Sequence, residues 1–128
     1  MLMSVAAGGA AGSLSTIHAR SSAHALGMLQ TYVLMGEERL PFEASAPLIS
    51  SSIDLVLHVE RRLDERGSEH RVVASVREVC GFRGPTVTTN VVICIDSRGL
   101  LATPVPLSSE RRQRLHEAGY RPTQLGVV

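Results

Sequence analysis

The sequence predicts an α/β fold: helices first, then a three-stranded antiparallel β-meander, then a final helix. Three observations lead to it. Leu26, Leu29 and Val33 recur at the spacing of one helix face. Further along, the period drops to two, with three alternating apolar–polar runs between residues 53 and 95. The strings between those runs are short and rich in Gly, Pro and Asp. Such strings join antiparallel neighbours and leave no room for a crossover helix. With 128 residues the chain suffices for one domain, which at this size buries about two thirds of its unfolded surface.

Residues 1–7 read as the end of a helix that Gly8 and Gly9 stop. A chain that opens inside an element, with no cap ahead of it, is expected to have had sequence before Met1. In Gly12-Ser13-Leu14-Ser15-Thr16-Ile17-His18-Ala19, Leu14 alternates with Ser15, and Ile17 with Thr16 and His18, the pattern of a short strand. Either Ser21 or Ser22 can cap the helix that follows, by accepting a backbone N–H bond, and Gly36 ends it. Pro41 suits a first helical turn, and Glu43 complements the dipole there. Pro47 would delete a helical hydrogen bond, so the second helix is expected to start or kink at that residue.

Ile53, Leu55, Leu57 and Val59 then alternate with Asp54, Val56, His58 and Glu60, which predicts a half-buried strand. The polar turn Asp64-Glu65-Arg66-Gly67-Ser68 leads to a second strand over residues 71–79. Gly81-Phe82-Arg83-Gly84-Pro85 reads as the next turn, and Val87, Thr89, Val91, Ile93 and Ile95 alternate again. Ser108 caps a last helix, Gly119 stops it, and Pro122 follows.

Composition narrows the function classes. Apolar residues make up 44%, but there are only two Phe, two Tyr and no Trp, so the core must be built from Val, Leu, Ile and Ala. The net charge of +1 offers no basic surplus and argues against a nucleic-acid partner. Cys80 and Cys94 form no zinc or redox motif and lie in apolar, strand-like runs, so buried reduced thiols are expected. No apolar run approaches the roughly 18–20 residues that span a bilayer. The small apolar N-terminus lacks a basic n-region and makes a poor signal peptide. These features predict a cytoplasmic protein.

A phosphate-binding loop needs a lysine after its glycines, because the lysine holds phosphate. The chain has no lysine; all 13 basic residues are arginine. The Gly8-Gly9-Ala10-Ala11-Gly12-Ser13 run is therefore expected to be a flexible connector. His18 ends the first predicted strand, where ligands gather in open α/β sheets, which makes it the best-placed titratable residue of the first half. His24, His58, His70 and His116 show no metal-ligand spacing. Glu37-Glu38 and Asp64-Glu65 read as solvated charge, and Glu110-Arg111-Arg112 as an exposed helix face. Ser13, Ser15 and the Ser50-Ser51-Ser52 run lack the G-x-S-x-G setting of a nucleophile.

The string Gly12-Ser13-Leu14-Ser15-Thr16-Ile17-His18-Ala19 closely resembles the His box of the secretion ATPases, which serve type II and type IV secretion and tight-adherence (Flp) pilus assembly. The likeness continues through Ala25-Leu26, Tyr32-Val33-Leu34-Met35, Leu40-Pro41 and residues 49–59. Arg71-Val72-Val73 and Val76-Arg77-Glu78-Val79 are similar to the family's R-R-V…I-x-E-V hairpin. It spans roughly residues 1–96, leaving 97–128 as a C-terminal tail with a short helix. Ala10 and Ala11 stand where the family has a polar pair, and Arg20 follows His-Ala where Asn is common.

The resemblance implies a partial RecA-like, P-loop NTPase domain that lacks its N-terminal core strands. The family's Walker A loop, Asp box and Walker B motif would precede Met1. His18 would be the catalytic His-box histidine near the terminal phosphate, with Gly12, Ser15 and Thr16 as nucleotide-binding neighbours. ATP and Mg2+ would belong to the complete parent, with no tight binding to this chain and no hydrolysis by it alone. Implied partners are further copies in a hexameric ring and platform proteins of the inner membrane, placing the chain in the cytoplasm or at the inner face of that membrane. The alternatives are a stand-alone module that docks on an intact ring, and a non-functional remnant. The strand at residues 13–19 should pair with central RecA strands; without them a bared sheet edge and self-association are expected.

Overall fold

In the computed structural model, which describes residues 12–37, 40–64, 66–96 and 98–121, two helices cover one face of an antiparallel sheet. Helix α1 is Ser22–Met35 and helix α2 is Phe42–Ser52. Strands β1 (Leu55–Leu63), β2 (Glu69–Arg83) and β3 (Thr86–Cys94) form the sheet in sequence order, and helix α3 (Ser109–Glu117) is tied to it through Arg111. The α/β class, the meander and the final helix all match expectation. The expected helix end at residues 1–7, the Gly8-Gly9 stop and Pro122 lie outside the described residues.

Ser21 is the cap of α1: its hydroxyl accepts from His24 N–H at 3.1 Å. Ser22 is instead buried, with its hydroxyl bonded to the sheet. Helix α2 starts at Phe42, after Pro41, and runs through Pro47. The carbonyl that Pro47 leaves without a helical donor belongs to Glu43, an exposed first-turn residue whose carbonyl water can satisfy, so the helix need not start late. One core forms where the helices meet the sheet: Leu26, Ile49 and Val79 are buried, with Leu29, Ile53, Val56 and Val87 packed around them.

Residues 12–19 are not a strand. They have no ladder among the described residues, and Leu14 is 95% exposed. Alternation alone cannot hold a strand, whose backbone groups need a neighbour.

The second hairpin also differs from expectation. β2 continues through Gly81 to Arg83, and the turn is the two-residue Gly84-Pro85, with Gly84 at φ 56° as a tight turn of reversed hand requires. Gly81 sits in the strand at φ 141°, where the register shifts between Val79 and Gly81. A bulge of this kind suits glycine.

In β1 the alternation is present but its apolar side faces outward. Leu55, Leu57, Val59 and Leu63 are exposed, while Val56, His58, Glu60 and Arg62 lie on the half-buried side. The core reaches only the Val56 end of the strand. Beyond it the polar side chains satisfy one another: His58 Nδ1 lies 3.5 Å from Glu60, and Arg62 lies 3.4 Å from Glu60 and donates to the Asp96 carbonyl at 3.2 Å. Cys80 and Cys94 are free thiols, and exposed rather than buried: Cys80 follows the core residue Val79 and so points away from α1 and α2, and Cys94 is the last residue of β3.

The turns are closed by aspartates. Asp64 Oδ1 accepts from Arg66 and Ser68 N–H, both at 2.8 Å, and Asp96 Oδ1 accepts from Arg98 and Leu100 N–H at 2.8 and 2.9 Å. After Asp96 the chain returns along β3: Ala102 N–H donates to Cys94 and Val105 N–H to Val92, each at 2.9 Å. It then enters α3, which ends in a Schellman motif. Gly119, at φ 89°, donates to the His116 carbonyl and Tyr120 to that of Leu115. No helix among the described residues is long and apolar enough to cross a membrane.

Candidate functional site

Successive side chains of a strand point to opposite faces, so β2 serves two sites at once. Arg77 and Val79 point toward α1 and α2. Glu78, between them, points toward α3.

On the α3 side, Glu78 is 1% exposed. Its carboxylate accepts from Ser108 N–H at 2.9 Å and from the Ser108 hydroxyl at 2.6 Å. Arg111 Nε lies 3.6 Å away, and the same guanidinium donates to Asp54 and, at 3.5 Å, to the Val79 carbonyl. Arg114 lies 3.7 Å from Asp54. Burial pushes the Glu78 carboxyl up, but the Ser108 bonds and the Arg111 charge outweigh it and hold it below its ordinary value. The group stays ionised, and its oxygens are committed to Ser108 and Arg111. It is a latch for α3 and is poorly suited to act as a general base. Ser108 has two tasks, since its hydroxyl also accepts from Arg111 N–H at 3.3 Å as the helix cap.

On the α1 side, the Ser22 and Ser75 hydroxyls lie 3.0 Å apart, Arg77 Nε donates to Ser22 Oγ at 3.2 Å, and Arg77 also donates to Thr89 Oγ1 at 2.8 Å. This network ties the start of α1, just after the His18 string, to the middle of β2.

Beside the latch lies a polar cleft of about 840 Å³. Gly12, Ser15, the Ser50-Ser51-Ser52 end of α2, Asp54, Glu110 and Arg114 are among the residues lining it. Two of the four expected site residues therefore line one cleft. Gly12 adopts φ 119°, a conformation that favours glycine. Thr16 and His18 are exposed and outside the lining. The hydroxyls of Ser50, Ser51 and Ser52 all donate to backbone carbonyls, of Gly81 and Leu48, which leaves no activated serine there. Among the described residues no cluster of three or more His, Cys, Asp or Glu side chains is placed to hold a metal ion.

Arg111 and Asp54 were not picked out as site residues from the sequence, and Ser108 was expected only as a helix cap. Arg111 was expected on an exposed helix face, yet its side chain is only 15% exposed. The available clue was Glu78 in the middle of a strand, with Ser108 and Arg111 one helical turn apart to meet it. Compared with known proteins, the chain matches no protein-family model and no curated protein.

Proposed function

We propose that the chain forms the C-terminal part of a secretion or pilus-assembly ATPase motor, taking part in hydrolysis only where another segment supplies the phosphate-binding loop. The observation that carries this reading is the Ser22–Ser75–Arg77 network. The two stretches resembling the family, the His18 string and the Arg77-Glu78 hairpin, are far apart in sequence, yet this network bonds the start of α1, three residues after the string, to the hairpin. It would hold residues 12–19 at a fixed offset from the sheet. Gly12, Ser15 and Thr16 would then approach the phosphates, with His18 near the terminal one, since an imidazole can donate to phosphate oxygens and change its bonding on hydrolysis.

ATP and Mg2+ belong in this reading to the assembled motor, a hexameric ring working against an inner-membrane platform. The chain alone has no lysine for the phosphates. Titrating it calorimetrically with MgATP should give no saturable heat in the micromolar range. Tight, magnesium-dependent binding would sink the proposal.

A second reading has its own observation. The outward row Leu55, Leu57, Val59 and Leu63, with Val73 beside it, is an exposed apolar surface suited to a protein partner. A docking module of that kind would bind an intact ATPase ring equally well with His18→Ala, whereas motor function would not survive that change.

A further inference from the structure

We propose that β1 is a self-pairing edge, along which two copies of this chain join antiparallel about a two-fold axis through Val59, merging their sheets into one. This proposal is independent of the motor reading. The sheet has two edges, and among the described residues only that of β1 has no segment of the chain bonded along it. The outer side of β3 is taken at its Val92–Cys94 end by the returning chain at Ala102 and Val105. β1 is a regular nine-residue strand, Leu-Val-Leu-His-Val-Glu-Arg-Arg-Leu, with neither proline nor lysine to blunt it. The residue that disturbs its pairing, Ala74, belongs to β2.

The backbone fixes the register. The Asp54 carbonyl accepts from Val79 N–H, and Asp64 N–H donates to the Ser68 carbonyl, so even-numbered positions of β1 bond inward to the hairpin. Leu55, Leu57, Val59, Arg61 and Leu63 therefore direct their N–H and C=O groups to the open edge. An antiparallel match of these positions that uses the whole strand is centred on Val59. It sets Leu55 against Leu63 of the second copy and Leu57 against Arg61, and forms about ten ladder hydrogen bonds.

The same register makes the side chains complementary. His58 falls opposite Glu60 of the second copy, and Glu60 opposite its His58. Both fall at the non-hydrogen-bonded positions, where facing side chains come closest. Val56 meets Arg62, so within the strand no two like charges face each other; just beyond it Asp54, which Arg111 and Arg114 already pair, meets Asp64. On the outer face, Leu63, which is 70% exposed, gains Leu55 of the second copy as a neighbour, and the two Val59 side chains meet at the axis.

The test combines sedimentation equilibrium with amide exchange followed by NMR, on the full chain and on Val59→Lys. Val59 is exposed and its N–H faces outward, so the lysine leaves the β1–β2 ladder intact while setting like charges together at the axis. The wild type should dimerise with concentration. The amides of Leu57, Val59 and Arg61 should slow in step with dimerisation, while the even-numbered amides are slow throughout. Val59→Lys should weaken the dimer by about ten-fold or more. A wild type that stays monomeric overturns the proposal, as do odd-numbered amides that exchange fast at every concentration. So does a folded Val59→Lys that associates like wild type, which would place the contact away from β1, or an edge taken up only by a different protein. The exchange pattern of the wild type decides the matter even if the lysine variant fails to fold.

Discussion

Replacing Arg111 by methionine should cost far more than its place in an arginine-rich helix suggests. The substitution keeps much of the side-chain volume and removes the charge. Glu78 is left 1% exposed and ionised, with Ser108 as its only close polar partner. Breaking one side of a buried ion pair typically costs about 3–5 kcal/mol, because the remaining charge is stranded. Arg111 is 15% exposed and its other partner, Asp54, is 63% exposed, so the lower end of that range, about 3 kcal/mol, is expected. Arg112→Met, at the exposed neighbouring position, should change stability by about 0.5 kcal/mol or less. Glu78→Gln in the Arg111→Met background should recover part of the loss, since the amide removes the stranded charge and can still accept from Ser108. Urea denaturation of the four proteins gives the comparison directly. Equal effects of Arg111→Met and Arg112→Met would refute the latch.

Other outcomes follow from the same structure. Glu78 has its folded pKa lowered, so its contribution is present at neutral pH and lost as pH falls through that lowered value; the stability gap between wild type and Glu78→Gln should narrow in acid, read from urea midpoints across pH. Ile49 is fully buried at the meeting point of α2 and the sheet, so Ile49→Ala should cost about 2–5 kcal/mol and Ile49→Val about 0.5–1.5, read from the same denaturation curves. Cys80 is exposed, but partial desolvation and the nearby Glu78 charge raise its thiol, so alkylation followed by mass spectrometry at neutral pH should be slower there than for free cysteine.

Much of the fold was legible because period and punctuation agree locally. The Ser21 and Ser108 caps, the Gly119 stop and the Asp64 turn each act within a few residues, and each was readable. Three features were not, because they depend on partners distant in sequence. Residues 12–19 have the pattern of a strand, but pattern supplies no hydrogen-bonding neighbour. β1 alternates, but which side is covered depends on where α1 and α2 lie. Gly81 looked like turn chemistry, yet the turn belongs to Gly84, and a bulge was needed to keep the strand going. At the site, Gly12 and Ser15 share a cleft, but the charged cluster beside it is built from Asp54, Glu78, Ser108 and Arg111. No local spacing joins those four residues.

The proposal that this chain completes a nucleotide site is tested most directly by complementation. The purified chain would be mixed with the phosphate-binding half of a secretion ATPase, and MgATP hydrolysis followed. The expected result is no turnover by either part alone, turnover on mixing, and its loss with His18→Ala while the complex persists. Turnover by the chain alone, or turnover of the mixture indifferent to His18→Ala, would contradict it.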